Sequence, residues 1–455
     1  MARRKQSDPT ARSEALRILD VLDRGRGHSH ALLARLPADM DDRERRLATE
    51  LVYGVLRRRS AIDRALERHS SRPLNRITPT LLNALRLTLY QILFLSRVPA
   101  PAAVDEGVRL VRARLGRSPA AFANGVLRSA CREREEGAVV EAPILPAKSD
   151  ADSLAEAHSF PSFLVRRFLR RYGAATTIHL LETLNRPAPI TLRIRRTGID
   201  SGALVAGLRE EGIETVPSPL LPGALRVTSG APQRTASFRA GSVYIQDESS
   251  QLVAELLRPL PEDSPVVDLC AAPGGKILAI ADLLPRAGPR PIAADRSLAR
   301  LRLLRDNVSR GGSPDPHYVV MDARRPALRG SFRRVLLDAP CSGTGIIRRH
   351  PEIRWRRSEE AIREFACKQG EMLEAAWGMV APGGRLIYAV CSLEPEEGPE
   401  RIAALREAHP EIIPIDAREC LPTTAHLLVD RAGFFATLPH RDGVDGFFAA
   451  VLERG

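Results

Sequence analysis

Apolar residues recur every three or four positions through the first 135 residues, with polar and charged residues between them. This spacing places the apolar side chains on one face of a helix, so it predicts a run of amphipathic helices. Thr78 is a suitable N-cap, and Pro79 a suitable first residue, for one of them. Because such helices bury their faces against one another, residues 1–135 are predicted to form a small bundle. The apolar stripes include Leu16, Leu19, Leu22, Leu47, Leu51, Val55, Ile62 and Leu66.

The pattern changes after this segment. Residues 136–150 contain prolines and no apolar periodicity, which is typical of a linker. A helix that Gly173 can end follows, and then a strand of alternating apolar and polar residues that carries Arg193 and Arg195. We expect these arginines on the outer face of a half-buried strand, where they either keep the surface soluble or contact RNA. Residues 151–240 are therefore predicted to form a small α+β, RRM-like module that binds RNA.

Short apolar strands alternate with helical segments from residue 241 to residue 455. This alternation predicts a doubly wound parallel sheet with helices on its faces, a Rossmann-like α/β domain. Open sheets of this kind bind ligands at the carboxyl ends of their strands. One aspartate at a strand end is usually a turn residue, but chemically useful side chains at five successive ends predict a site. These residues are Asp268, Asp295, Asp322, Asp338 and Cys391.

The charge of the chain narrows the choice of partner. The sequence has 68 basic and 55 acidic residues, a net charge of +13, and a pI near 10.1. Such a field attracts polyanions, so we expect a nucleic acid as partner; an arginine-rich composition without a binding role is the alternative. Aromatic residues make up only 4% of the chain, which argues against a broad stacking platform for single strands.

Other features of the composition exclude several classes of protein. No apolar run approaches the ~20 residues that a bilayer requires, and the basic N-terminus lacks a secretory apolar segment, so we expect a cytoplasmic protein. The six cysteines contain no CxxC pair, so we expect neither zinc nor a disulfide framework. We also expect a monomer. Cys131, Cys367 and Cys420 are expected to be small core residues. The other three, which follow predicted strands, are Cys270, Cys341 and Cys391.

The sequence DLCAAPGGK, residues 268–276, predicts a strand, a glycine turn and the start of a helix. Gly274 and Gly275 allow a ligand to approach the backbone closely. The sequence is neither GxGxxG nor a P-loop, so a dinucleotide or ATP is not favoured. Asp295 follows where an acid commonly binds ribose hydroxyls, and Asp322 can accept a hydrogen bond from an adenine amino group. Together these residues predict a nucleoside ligand without phosphates, which S-adenosylmethionine fits.

Two thiols and a carboxylate are predicted at the same edge of the sheet. DAPCSGTG supplies Asp338 and Cys341, and the next strand ends at Cys391. Carbon 5 of a pyrimidine is not nucleophilic, but a thiolate that adds to carbon 6 makes it reactive toward a methyl donor. A carboxyl beside ring nitrogen 3 assists the addition, and a base must later remove the carbon-5 proton. An amino-group methylase would need no cysteine here, although the residue types alone do not rank the two thiols.

Several stretches carry a resemblance to known families: VVDLCAAPGGK, DAPCSGTG followed by RRHPEIRW, YAVCSLEPEE and HRDGVDGFF. They resemble the RNA cytosine-5 methyltransferases of the Sun/Fmu type, in particular those that act on bacterial 16S ribosomal RNA. ARSEALRILD, RRLATELVYGVLRR and AFANGVLR resemble the NusB-like helical RNA-binding domain. The resemblance implies that Cys391 is the nucleophile and that Cys341 promotes proton removal and product release. It also implies that cofactor and target are held by Cys270, Ala271, Ala272, Pro273, Gly274, Gly275, Lys276, Asp295, Asp322 and Asp338.

The chain departs from the family pattern at a few positions beside these motifs. Val390 replaces a usual threonine, Ile277 a common hydroxyl residue, and Gly398-Pro399 a frequent asparagine. None carries a chemical group named above, so the departures concern fine positioning and rate rather than the class of reaction.

The basic segment 346–358, which contains Trp355, follows the predicted active-site turn. We expect it to grip single-stranded or locally opened RNA, because a base inside a helix cannot reach a cysteine. A solvated loop with one packed aromatic is the alternative. The expected activity is S-adenosylmethionine-dependent methylation of carbon 5 of a cytosine in ribosomal RNA, with 16S RNA as partner. A non-catalytic RNA-binding assembly factor, and the same chemistry on DNA or transfer RNA, stay open.

Overall fold

The computed structural model of the protein describes residues 10–135, 150–195, 200–261, 263–285, 288–310 and 315–455. The chain divides into two compact units. The first comprises Met1–Asn185 together with Arg349–Arg356, and the second comprises Arg186–Arg348 and Arg357–Gly455. The predicted linker lies almost entirely outside the described residues, so it stays a prediction, as do the predicted domain boundaries.

The first unit contains the predicted helical bundle. Thr10 begins the first helix with a capping box to Ser13, and Thr78 and Pro79 begin the fifth as predicted, although the Thr78 side chain makes no capping hydrogen bond. Gly173 interrupts the ninth helix with a φ of 75°, a conformation that glycine adopts without strain. None of the helices in the described ranges is long and apolar enough to cross a membrane. The helices are α1 Ala11–Asp23, α2 Ser29–Leu33, α3 Asp42–Arg57, α4 Arg59–His69, α5 Pro79–Phe94, α6 Ala100–Leu115, α7 Arg117–Glu135, α8 Ala151–His158 and α9 Ser162–Leu184.

The segment Arg349–Arg356 is remote from this unit in sequence but packs within it. The side chain of Arg354 is fully buried and donates a hydrogen bond to Asn185 Oδ1 (2.7 Å). Trp355 Nε1 donates to the carbonyl oxygen of Leu56 (2.8 Å), and its ring packs against the helical core. The expectation that this segment grips RNA is therefore wrong for Arg354 and Trp355, because intramolecular contacts occupy their side chains.

The predicted small α+β module is confirmed as a four-stranded antiparallel sheet in the second unit, with strand order β2-β3-β1-β4. The outward orientation predicted for Arg193 and Arg195 is wrong. Both side chains are buried, and both form ion pairs with Asp282, which offsets the cost of burying their charge. The elements are β1 Ile190–Ile194, α10 Ser201–Glu210, β2 Glu214–Pro217, β3 Ala224–Ser229, α11 Ala236–Arg239 and β4 Val243–Ile245.

The predicted Rossmann-like domain is confirmed, but its sheet is mixed rather than wholly parallel. The strand order is β10-β12-β9-β8-β5-β6-β7, and β11 pairs with β12. Strands β5 to β9 are parallel, whereas β12 runs in the opposite direction and therefore pairs antiparallel with β9, β10 and β11. The elements are α12 Glu248–Glu255, β5 Val266–Asp268, α13 Gly275–Leu283, β6 Ile292–Asp295, α14 Leu298–Ser309, β7 His317–Val320, β8 Phe332–Asp338, α15 Ile353–Arg356 (in the first unit), α16 Glu359–Trp377, β9 Val380–Val390, α17 Pro399–Ala408, β10 Ile412–Ile415, β11 Phe435–Ala436, α18 Pro439–Asp442 and β12 Phe448–Arg454.

Candidate active site

The cysteines separate by burial into structural and accessible positions. Cys131 and Cys420 are buried, as expected of core residues. Cys367 is exposed on α16, so its predicted core position is wrong; it faces away from the buried stripe of that helix. The three that follow strands are half-buried: Cys270, Cys341 and Cys391.

Two of these thiols meet because β8 and β9 are parallel neighbours. Asp338, the last residue of β8, is paired with Ala389, and Ala339 N donates to the carbonyl oxygen of Ala389 (2.9 Å). The chain leaves both strands at the same edge of the sheet. The Sγ atoms of Cys341 and Cys391 lie 3.1 Å apart at that edge.

The environment of the two thiols favours a proton on Cys341. The contact with Cys391, together with burial, raises the pKa of Cys341 well above its usual value. The carboxylates of Glu397 and Asp338 act in the same direction. Because a thiol attacks as its thiolate, this shift disfavours the reactive form of Cys341.

A lysine–aspartate pair lies beside the thiols. Lys276 Nζ is 2.7 Å from Asp338 Oδ2 and 5.2 Å from the centre of the Phe447 ring. Burial lowers the pKa of Lys276, but the charge and hydrogen bond of Asp338, together with smaller contributions that include Asp268, outweigh burial and raise the pKa overall. A negative charge on Cys391 acts in the same direction. The crevice therefore offers a cation and a carboxylate next to two thiols, a combination that can bind the polar edge of a base.

The end of β5 presents a buried carboxylate. Asp268 Oδ1 accepts a hydrogen bond from Cys270 N (3.2 Å), whereas Oδ2 is buried without a hydrogen-bond partner among the described residues. Burial, followed by the charge of Asp338, raises the pKa of Asp268 to about 7. A ligand that hydrogen-bonds to Oδ2 would remove the cost of this unsatisfied oxygen.

The neighbouring strand ends have the features of a nucleoside site. Gly274 has a φ of 115°, and a Cβ added there would lie 3.1 Å from the side chain of Leu304, so only glycine suits this turn. Asp295 is buried and accepts from Ser297 N (2.9 Å). Asp322 is more exposed, and its ion pair with Arg324 lowers its pKa to about 2. Buried acids and an open glycine turn fit a neutral ribose better than a phosphate, as predicted from the sequence.

Most of the predicted residues form one connected cluster in the structure. Cys341, Cys391, Asp338 and Lys276 are in mutual contact or electrostatic range, and the charge of Asp338 also acts on Asp268 and Cys270. Asp322 pairs instead with its own loop through Arg324.

The sequence analysis missed Glu397 and the pair of glycines Gly345 and Gly446. Gly446 N donates to Gly345 O (2.9 Å), and a Cβ on Gly345 would collide with the backbone of Gly446. Gly345 N in turn donates to Cys391 O (3.1 Å). This close approach therefore holds the C-terminal loop against the loop that contains Cys341, which itself contacts the backbone of Cys391. Glycines in DAPCSGTG and DGVDGFF were visible, but nothing in their spacing indicated that they meet.

Comparison with known families gives three consecutive matches along the chain. Residues 254–453 match the family described as "16S rRNA methyltransferase RsmB/F". Residues 9–132 match the NusB family, and residues 160–233 match the ferredoxin-like domain of RsmF/B-like methyltransferases. These matches correspond to the α/β domain, the helical bundle and most of the small α+β module.

Similar proteins align over nearly the full chain. A "probable ribosomal RNA small subunit methyltransferase B" of Bacillus subtilis is 33% identical over 452 residues, which covers 98% of this chain and 99% of that protein. The "ribosomal RNA small subunit methyltransferase B" of Salmonella newport is 35% identical over 441 residues, 96% of each chain. The crystal structure of PH0851 is 27% identical with a TM-score of 0.81, and covers 99% of this chain and 100% of its own.

Proposed function

Since the chain belongs to the 16S rRNA methyltransferase RsmB/F family, we propose that it methylates carbon 5 of a cytosine in small-subunit ribosomal RNA through a covalent cysteine adduct. The observation that carries this proposal is the 3.1 Å approach of Cys341 and Cys391 beside the Lys276–Asp338 pair. Methyl transfer to oxygen or nitrogen does not require a thiol, and a second thiol in contact with the first suits a reaction that must also release its product.

Cys391 is the attacking group. Its sulfur forms a bond to carbon 6 of the cytosine, and carbon 5 then carries the electron pair that attacks the methyl donor. S-adenosylmethionine, when bound, supplies an electrophilic methyl group on its sulfonium. Asp338, held by Lys276, contacts ring nitrogen 3; the addition places negative charge on that nitrogen, and a proton delivered from the Lys276–Asp338 pair neutralises it and returns to the pair on elimination.

The second half of the reaction regenerates the thiol. Cys341 gives its proton to the leaving sulfur of Cys391 and, as the thiolate so formed, accepts the carbon-5 proton. The electron pair of the carbon–hydrogen bond forms the new double bond as the bond between carbon 6 and the Cys391 sulfur breaks. Cys341 assists this elimination, and its raised pKa supports a role in proton exchange at the leaving sulfur. Each thiol therefore has a distinct task although both follow equivalent strand ends.

The methyl donor is held at the neighbouring strand ends. The loop from Cys270 to Lys276 would hold the cofactor close to the backbone, Asp295 would accept from its ribose hydroxyls, and Asp322 would accept from its adenine amino group. The buried, unsatisfied Oδ2 of Asp268 supports a hydrogen-bond donor of the cofactor at that point. Asp322 must exchange part of its contact with Arg324 to do so.

The RNA partner follows from charge and from the additional domains. A net charge of +13, with NusB-like and ferredoxin-like segments before the α/β domain, supports a polyanionic substrate with several contact regions. The target cytosine must be single-stranded or opened, because its carbon 6 has to reach a half-buried thiol. We also propose that the protein is located in the cytoplasm, that it is a monomer, and that it needs no metal.

Incubation of the protein with labelled S-adenosylmethionine and either 16S or transfer RNA tests this function. We expect label in 5-methylcytosine at a single position of 16S RNA, identified by nuclease mapping. Label in transfer RNA alone would identify transfer RNA as the substrate instead. Label in another nucleoside would refute methylation at carbon 5 of cytosine. RNA binding without any methyl transfer would support the non-catalytic alternative.

A further inference from the structure

Glu397 is a buried acid that the mechanism above does not use. It lies in the turn between β9 and α17, and its side chain is fully buried. A buried carboxylate is costly unless its oxygens receive hydrogen bonds, so its partners indicate what it does.

The hydrogen-bond partners of Glu397 come from α16 and from the two loops that contain Cys341 and Cys391. Oε1 accepts from the backbone N of Ser342 (2.7 Å) and from Gln369 Nε2 (3.0 Å). Oε2 accepts from the hydroxyls of both Ser342 and Ser392. Ser342 directly follows one thiol in the sequence and Ser392 directly follows the other. A single carboxylate therefore joins the residues next to the two sulfurs.

The sheet alone does not set the spacing of the sulfurs. Cys341 lies three residues beyond the end of β8, and Cys391 lies one residue beyond the end of β9, so neither belongs to the paired part of its strand. Gly343, with a φ of 76°, makes the first loop turn sharply after its thiol. Loops of this kind need side-chain contacts to hold a fixed position.

We propose that Glu397 is a positioning residue that sets the geometry of Cys341 and Cys391 by hydrogen bonding to the serine that follows each. The inference rests on the proposed function and deepens it. A displacement of about 1 Å at reacting atoms commonly costs on the order of 10²-fold in rate, so a shared anchor for two cooperating thiols has a large effect on turnover.

Glu397→Ala and Glu397→Gln test the proposal in the full-length protein. Glutamine keeps the carbonyl oxygen that accepts from Ser342 N and Gln369, and its amide can donate to the serine hydroxyls. We expect Glu397→Ala to lower the single-turnover rate of methyl transfer about 100-fold at saturating RNA and cofactor, and Glu397→Gln to recover it to within about tenfold of wild type. The KM for RNA and the affinity for S-adenosylmethionine by calorimetry should change less than about twofold, since no ligand contact is lost.

A second readout needs no RNA. Glu397 contributes to the raised pKa of Cys341, after the contact with Cys391 and burial. In Glu397→Ala, iodoacetamide modification of Cys341, quantified by mass spectrometry, should therefore rise at lower pH than in the wild type. Glu400→Ala is the matched control, because Glu400 is an exposed acid three residues further along. Ser392→Ala removes one of the hydroxyls that donate to Glu397, so it should also lower the rate of methyl transfer. This variant tests the proposal if Glu397→Ala does not fold.

Wild-type turnover and an unchanged alkylation profile in Glu397→Ala would overturn the proposal. So would equal losses in the alanine and glutamine variants accompanied by lower thermal stability and weaker cofactor binding, because these describe a purely structural role. A wild-type protein that transfers no methyl group would refute the proposed function instead, while the alkylation profiles would still report on the anchor.

Discussion

At the scale of single residues, close contacts within the site set the protonation of its buried groups. Cys341 and Cys391 are in contact, and the contact holds the proton on Cys341 by raising its pKa. Lys276 retains its charge although buried, because Asp338 lies 2.7 Å away. These assignments depend on distances of a few ångströms, so single substitutions should separate the steps of the reaction.

Replacing the two thiols should have opposite effects on a covalent intermediate. Cys391→Ala should abolish methyl transfer and adduct formation, since the attacking sulfur is gone. Cys341→Ala should leave attack possible but slow elimination, so that a protein–RNA adduct accumulates. Denaturing electrophoresis of protein with labelled RNA and cofactor measures both, with the exposed Cys367→Ala as control. An adduct seen with Cys391→Ala would reverse the two roles.

Asp268 should give the stability of the cofactor-free protein a distinct pH dependence. Its pKa is raised from 3.8 to about 7 by burial and by Asp338, so its contribution is complete below the unfolded value and is lost as the pH rises toward about 7. The loss is on the order of a few kcal/mol at about 1.4 kcal/mol per pH unit.

Asp268→Asn cannot ionise and should flatten this part of the stability curve. Urea unfolding followed by circular dichroism between about pH 5 and pH 8 measures the difference. Parallel curves for wild type and variant would contradict the assignment. The control is Asp306→Asn, an exposed aspartate on α14.

At the scale of elements, two features decide what the motifs do. The parallel order of β5 to β9 brings acid and thiol ends to one edge, as predicted. The segment Arg349–Arg356 does not have the RNA-facing position that its basic sequence predicts. Its helix packs in the first unit, where the guanidinium of Arg354 lies 3.8 Å from the centre of the Phe160 ring. Part of the basic segment 346–358 therefore lies in the core of the first unit.

Arg354→Ala should destabilise the first unit rather than weaken RNA binding directly. The substitution leaves the carbonyls of Ser159 and Leu184 without their donor, and buried groups of this kind cost about 1–3 kcal/mol each. We expect a lower urea midpoint and faster cleavage within residues 1–185 in limited proteolysis. Arg363→Ala, at an exposed position on α16, provides the comparison. A loss of RNA affinity without any change in stability would mean that Arg354 contacts RNA.

At the scale of the whole molecule, charge and domain content act together. The chain carries a net charge of +13, and its NusB-like and ferredoxin-like segments precede the α/β domain that contains the thiols. Arg193 and Arg195 are buried and share an ion pair with Asp282, so RNA affinity depends on other basic residues.

RNA binding should weaken steeply with salt, whereas cofactor binding should not. Each phosphate neutralised on a single strand contributes a slope of about −0.7 in the logarithmic plot of affinity against salt. We expect a slope of about −3 or steeper for a 16S RNA fragment by filter binding, which corresponds to four or more phosphate contacts. Calorimetry of S-adenosylmethionine over the same salt range is the control. A slope near zero would mean that the basic residues do not neutralise RNA phosphates, and that the positive charge of the chain has no binding role.

The sequence by itself determined the three kinds of domain, the strands that end in Asp268, Asp295 and Asp338, and the presence of two thiols at one edge. Periodicity and strand ends are local properties, and the topology of a doubly wound sheet converts them into a site. Only the tertiary structure decided that Arg193 and Arg354 are buried. Charged residues look alike in sequence whether solvent or an ion-pair partner surrounds them, and the partner of each lies far away along the chain. The same reason applies to Glu397, since its role depends on two serines that meet only when β8 and β9 lie side by side.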